Sequence, residues 1–180
     1  MSVGNTNRAV AFGPPPHILL TGSSLLGNAY TAFPQTGGAW PTAGLAIYMP
    51  AAIPWRALLR KVVIYNGNAV SGNFDVGIYD TGGTRLWSSG ATAQSGTSQE
   101  QVIDVSPDLL LSPGMHYVGL VSDNTTGKFF RLGLSGLVCV LLGQYTQAAA
   151  YPLPATATFA YDYSTSFVPF VGLAFEATVA

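Results

Sequence analysis

Charge is what this chain has least of. Lys and Arg number 7 and Asp and Glu 8 in 180 residues, 8% of the chain, against about a quarter in ordinary soluble domains. So few scattered cations cannot neutralise a run of phosphates, which argues against nucleic acid as a partner. Arg56, Arg60 and Lys61 come nearest to a cluster, and their expected place is beside a strand, facing solvent or a partner carboxylate. Long apolar runs are missing as well. The longest, "GLVCVLLG" at 136–143, falls far short of the roughly 20 residues that span a bilayer, so no membrane insertion is expected. The N-terminal "MSVGNTNRAVAFGPPPHILL" is interrupted by three consecutive prolines, unlike the unbroken apolar stretch of a secretory signal.

Cysteine is limited to Cys139, which rules out an intrachain disulfide and a zinc site built on several thiols. Lying in an apolar run, it reads as a small core residue, and neither His17 nor His116 is near it in sequence. The nucleophile elbow GxSxG and the phosphate-binding GxxxxGK do not occur, nor does GxGxxG before a helix. The acidic residues Asp75, Asp80, Glu100, Asp104, Asp108, Asp123, Asp162 and Glu176 mostly fall at turns or on the polar side of an alternating strand. Asp80 before "TGG" and Asp123 before "NTTG" read as turn formers that accept from nearby backbone amides. A calcium site is conceivable only if both loops lie at one end of the domain. No catalytic residue, cofactor or metal ligand is expected.

Apolar residues make up 48% of the chain, with 21 Gly and 12 Pro. Residues 1–44 are rich in Gly, Pro and aromatics, with "FGPPPH" favouring polyproline II and "FPQTGGAWPTAG" dense in turn signals. They read as an extended N-terminal arm. Its residues Phe12, Leu19, Leu20, Leu25, Leu26, Tyr30, Phe33 and Trp40 are suited to dock on the chain's own domain or on a neighbouring subunit.

Residues 45–180 read as a run of strands. "GLAIYMP" ends at Pro50, and "ALLRKVVIYNG" closes on the turn signal Asn66–Gly67. In "NFDVGIYD" the residues Phe74, Val76 and Ile78 alternate with Asp75, Gly77 and Tyr79, the period-two signature of a strand with one buried face. "DTGG" supplies a turn, and "TRLWSS" returns as the partner strand. "EQVIDV" precedes "SPDLLLSPG", expected to be a corner. "MHYVGLVSD" alternates with Met115, Tyr117, Gly119 and Val121 on one face, which puts His116 on the polar side. "KFFRLGL", a loop containing "TQAAAYPLPATATF" and the strand "FVGLAFEATV" complete the chain. Turns every 8 to 12 residues without helical periodicity predict an all-β fold, an antiparallel, jelly-roll-like β-sandwich. Exposed rings on such a sandwich suit carbohydrate, with Trp40, Trp55, Trp87, Tyr79 and Tyr163 as candidates. Trp87 leads these, because it alternates with Leu86 and one of the two must face outward.

The run "YNGNAVSGNFDVGIYDTGGTRLWSSGATAQSGTSQEQVIDV", followed by "LSPGMHYVGL", resembles a β-sandwich segment of small virion structural proteins of tailed bacteriophages. The resemblance covers residues 65–120 and implies a virion location, either decorating the capsid or within the tail or fibre apparatus. It brings no catalytic residues. It implies partners among the virion proteins, a major capsid protein or tail proteins, and a homo-oligomer, with a trimer as the implied number. The alternative is a tail-associated module that binds a host surface glycan. Charge depletion agrees with life inside an assembly, because interface cores are poor in charge.

Overall fold

The computed structural model describes residues 18–20 and 35–177, and its strands pair antiparallel throughout. Three sheets pack together. The first has the order β1 (Ile18–Leu20), β13 (Val171–Ala177), β4 (Ala57–Tyr65) and β8 (Glu100–Leu111). The second is β12 (Phe167–Pro169), β10 (Lys128–Gly133) and β2 (Gln35–Ala39). The third runs β11 (Tyr145–Gln147), β3 (Ala46–Ile53), β9 (Gly114–Ser122), β5 (Asn73–Tyr79) and β6 (Arg85–Ser88), with β7 (Thr92–Ala93) also on β5. Among the described residues one helix, α1 (Gly136–Leu141), begins at Ser135, whose hydroxyl accepts from the amide of Val138.

Alternation decides which residues meet. Ile47, Met49, Ala51 and Ile53 of β3, Phe74, Val76 and Ile78 of β5, and Val118 and Leu120 of β9 point to one side of the third sheet. Facing them are Leu59, Val62 and Ile64 of β4 and Val171, Leu173 and Phe175 of β13, while Phe129, Phe167, Val168 and Trp40 close the same core. The inward residues of β4 change parity at Arg60–Lys61, because a register shift between Leu59 and Lys61 turns both cations outward. Without that bulge one cation would enter the core, where an unpaired charge is costly. Arg60 pairs with Asp108 at 3.2 Å and with Glu176, and Lys61 pairs with Asp104 at 2.7 Å. The exposed placement beside carboxylates agrees with the sequence reading.

Several elements depart from the sequence reading. β3 runs through Pro50 to Ile53; beyond Tyr48 it is paired on β9's side alone, where a residue without an amide hydrogen is tolerated. β8 likewise continues through Pro107, with its extra residues absorbed by the same register shift opposite Arg60. The run around Cys139 is a short helix, and Cys139 is buried in the core as expected. Residues 18–20 and 35–39, within the expected arm, are strands of the sheets. On β9 the core side is Val118 and Leu120, with His116 buried on the same parity, so the alternation is the reverse of the one centred on Tyr117. The sequence misled because both sides of β9 are covered: Gly119 and Val121 are buried too.

Candidate binding surface

Residues 148–166 follow β11 without a strand of their own and form a strap over the outer face of the third sheet. Their Ala150, Leu153 and Ala157 pack with Ala46, Tyr48, Tyr79 and Val121 in a second apolar cluster. The β5–β6 hairpin holds this strap in place. Asp75 accepts from the amide of Leu153 at 3.0 Å and from the hydroxyl of Ser89 at 3.2 Å. The Tyr79 hydroxyl donates to the carbonyl of Pro154 at 2.7 Å, and the Arg85 guanidinium donates to the carbonyl of Leu153. Main-chain bonds complete the attachment, Arg85 to Ala155 at 2.9 Å and Ala157 to Gly83 at 2.8 Å. Asp75, Tyr79 and Arg85 of the hairpin are therefore strap anchors.

Asp75 is fully buried, and burial, the largest effect, lifts its carboxyl above the ordinary value against the hydrogen bonds from Leu153 and Ser89. Its expected place on a polar face is overturned, because the strap converts that face into a second interior. Tyr79 is overturned as a ligand-facing ring for the same reason: it is buried edge-on against Tyr48 at 5.2 Å, and burial raises its phenol. Trp87 is half-buried and packs against the main core, whereas Leu86 takes the outward position. Trp40 is buried edge-on to Phe129 at 5.3 Å and Phe167 at 6.0 Å, its indole donating to the carbonyl of Leu45 at 2.7 Å. Of the two docking places open to it, it occupies its own domain. Leu19 and Leu20 lie in β1, paired opposite Leu173 and Gly172 of β13. Phe12, Leu25, Leu26, Tyr30 and Phe33 lie outside the described residues.

Trp55, between β3 and β4, is 38% exposed, and the more exposed rings are elsewhere. Tyr117 packs on Phe159 at 4.7 Å, Phe159 stacks on Tyr145 at 5.2 Å, and Tyr145 supports Tyr161 at 4.9 Å. At the end of this series Tyr161 is 61% exposed, and Tyr163, two residues further along the chain, is 63% exposed. Between them Asp162 accepts from the amide and hydroxyl of Ser164 and from the hydroxyl of Thr165, fixing the turn. These bonds outweigh partial burial and hold the Asp162 carboxyl below its usual range. Helix α1 adjoins this tip, with Gly136 against the backbone of Tyr163, and it presents Leu137, Val138 and Leu141, the last 75% exposed. Tyr163 was among the sequence candidates. Tyr161 and the helix leucines were not, since nothing in a loop's composition says which rings remain outside.

The charge map complements this surface. Arg60, Lys61, Asp104, Asp108 and Glu176 all lie on the outer face of the first sheet, across the core from the third sheet and its strap. The two flat sides of the sandwich thus differ, one ion-paired and the other sealed by tyrosines and small residues.

Within the turn after β9 it is Asn124, and not Asp123 as the sequence suggests, that accepts from the amides of Thr126 and Gly127; Asp80 accepts from the amide of Thr84 at 2.8 Å in its own turn, and Asp123 from the amide of Asn73 at 2.9 Å on the neighbouring strand. The two aspartates stand at opposite ends of the antiparallel β5–β9 pair, where Phe74 opposes Ser122 and Tyr79 opposes Tyr117, so the geometry required for a shared calcium site is not met. Among the described residues no group of three or more His, Cys, Asp or Glu is placed to hold a metal ion, and no helix is long and apolar enough to cross a membrane. No protein-family model and no curated protein sequence matches the chain.

Proposed function

We propose that this chain is a structural protein of a bacteriophage particle, a decoration protein that binds the capsid surface and stabilises it without catalysis. The observation that carries the reading is the set of exposed apolar and aromatic side chains on the strap and the adjoining helix, Tyr161, Tyr163, Leu137 and Leu141, in a chain with 8% charge. Interface cores have this character, with aromatic residues enriched and charge depleted. Each copy gains by burying apolar area, at roughly 25 cal/mol per Å² less the cost of association. Repetition over a particle multiplies weak contacts into firm attachment. The resemblance of residues 65–120 to phage virion proteins supports the same reading, with the major capsid protein as partner.

A second reading, host attachment at the tail through a surface glycan, is favoured by the same two tyrosines, since exposed rings can stack on sugar C–H faces. The discriminating experiment is immunogold labelling of purified intact particles with antibody to this chain, paired with mass spectrometry of their proteins. Label spread over the head is the expected result. Label confined to the tail transfers the assignment to attachment, and absence of the chain from purified particles overturns both.

A further inference from the structure

The first sheet ends in an unusual strand. β1 has three residues, Ile18 opposite Ala174, Leu19 opposite Leu173 and Leu20 opposite Gly172, and it is the outermost strand on β13. It covers less than half of β13, which runs from Val171 to Ala177. Pro14, Pro15 and Pro16 lie just before it in the sequence, and prolines cannot donate to a ladder. A ladder of this length is weak, because even a complete two-stranded hairpin is marginal in water. Yet without it β13 would have an open edge in a chain with little charge to protect it.

The connection from β1 to the next strand is long. Residues 21–34 separate it from β2, which lies in a different sheet. A chain of that length reaches about 50 Å when extended, more than the roughly 40 Å diameter expected of a 180-residue domain. The same three-residue ladder is therefore sterically available between copies. Exchange of identical strands preserves every bond, so cis and trans differ mainly in the cost of association. A high local concentration of copies lowers that cost and favours trans.

We infer that β1 is an exchangeable strand, and that in an assembly it pairs with β13 of a second copy of this chain, linking copies by strand addition. The inference rests on the β1–β13 ladder and the chain length, and stands apart from the virion reading: copies can link in this way in any crowded homo-oligomer.

The test uses the full chain with Ile18→Cys and Ala174→Cys, two directly opposed residues, the second on the outward side of β13. Cys139 is buried, and burial pushes its thiol up to about 11, which keeps it out of the oxidation. Unlabelled and ¹⁵N-labelled chains are refolded together at high concentration, oxidised and digested, and the peptide pair linked through positions 18 and 174 is weighed. Roughly half of the pairs carrying one light and one heavy peptide is the expected result, the statistical limit of complete exchange between copies. Pairs of a single isotope only would show that β1 stays at home and overturn the inference. Absence of the 18–174 pair from correctly folded protein, checked by circular dichroism, overturns it equally, because β13 would then not be the site of β1. Loss of label from phage particles would refute the virion reading while leaving this result untouched.

Discussion

The carboxylate of Asp75 and the amide of Leu153, 78 residues apart in sequence, meet at 3.0 Å inside the protein. That bond joins the best-patterned hairpin of the chain to its least patterned segment, and it explains why a strand with Asp, Gly and Tyr on one side has no polar side. Asp75→Ala leaves the Leu153 amide without its acceptor and removes one of the two acceptors of the Ser89 hydroxyl, which keeps the Gly90 carbonyl. The expected cost is about 1–3 kcal/mol, the range for orphaning buried polar groups. Hydrogen exchange locates it: protection should fall at Leu153 and across residues 148–166 while the β4 amides keep theirs. Equal loss throughout would mean that the strap has no separate opening.

The same carboxyl sets a pH dependence whose sign is opposite to the usual acid loss. Burial raises Asp75 above its ordinary value, so the folded chain holds the proton more tightly than the unfolded chain, whose Asp titrates near 3.9. Its contribution therefore grows as pH falls through the folded-state value and is fully gained below the unfolded one. Asp123 and Asp162 oppose it. Partial burial pushes each upward, but hydrogen bonds from Asn124 and Asn73 to Asp123, and from Ser164 and Thr165 to Asp162, outweigh it and lower both. The stability those two provide is present above the unfolded value and lost as pH falls through their folded values. Comparison with Asp75→Asn isolates the first effect: between pH 7 and pH 4 the melting temperature of the wild type should gain on that of the variant. A constant or shrinking difference refutes the assignment.

Gly83 sits in the hairpin turn with φ of +85°, and a Cβ there would stand 2.7 Å from the carbonyl oxygen of Ala157. Gly83→Ala therefore combines backbone strain with a clash against the strap. The expected loss is about 1–3 kcal/mol, measured by urea denaturation. The discriminating control is Gly90→Ala, where φ is +65° but no atom lies within 4 Å; it should cost less than Gly83→Ala.

Much of the sandwich was legible because its core-facing residues obey a period of two: Phe74, Val76 and Ile78 on β5, and Val171, Leu173 and Phe175 on β13, occupy the core as the pattern requires. What the pattern could not convey is cover on the second side. Tyr79 and Asp75 look outward by alternation, and only the strap, a loop with no periodicity, encloses them. Proline misled in the other direction. Pro50 and Pro107 read as strand ends, whereas one lies where pairing is one-sided and the other within a register shift. The exposed rings Tyr161 and Tyr163 flank a turn whose geometry depends on Asp162 bonding two residues further on, a local signal too short to rank above Trp87 in the sequence.

Trp40 tests how firmly the segment before β3 belongs to the domain. Its ring fills the space between Phe129 and Phe167, and its indole N–H is bonded to Leu45. Trp40→Ala should cost about 3–5 kcal/mol by the rule for buried aromatics. Trp40→Phe keeps most of the packing but orphans the Leu45 carbonyl, for about 1–3 kcal/mol. Chemical denaturation followed by circular dichroism ranks the two; equal costs would show that the hydrogen bond, not the packing, holds the residue.

The aromatic tip offers the sharpest separation of binding from stability. Leu141 and Tyr163 have most of their surface in water, so Leu141→Lys and Tyr163→Ser should change folding free energy by no more than about 0.5 kcal/mol, the usual range for surface positions. If the tip is the core of an interface, each change removes apolar contact there, and Leu141→Lys also introduces a charge that must be desolvated on docking. Binding to particles stripped of this protein should then weaken by about tenfold or more per substitution, the range set by hot-spot residues costing over 1 kcal/mol. Lys61→Ala, on the ion-paired face across the sandwich, provides the control, since an exposed pair contributes little and its loss should leave binding unchanged. Weakening by Lys61→Ala with the tip variants unaffected would move the attachment surface to the first sheet. Weakening by Tyr163→Ser but not by Leu141→Lys would instead favour a ring-stacking ligand, because a sugar face engages the tyrosine and has no need of the helix.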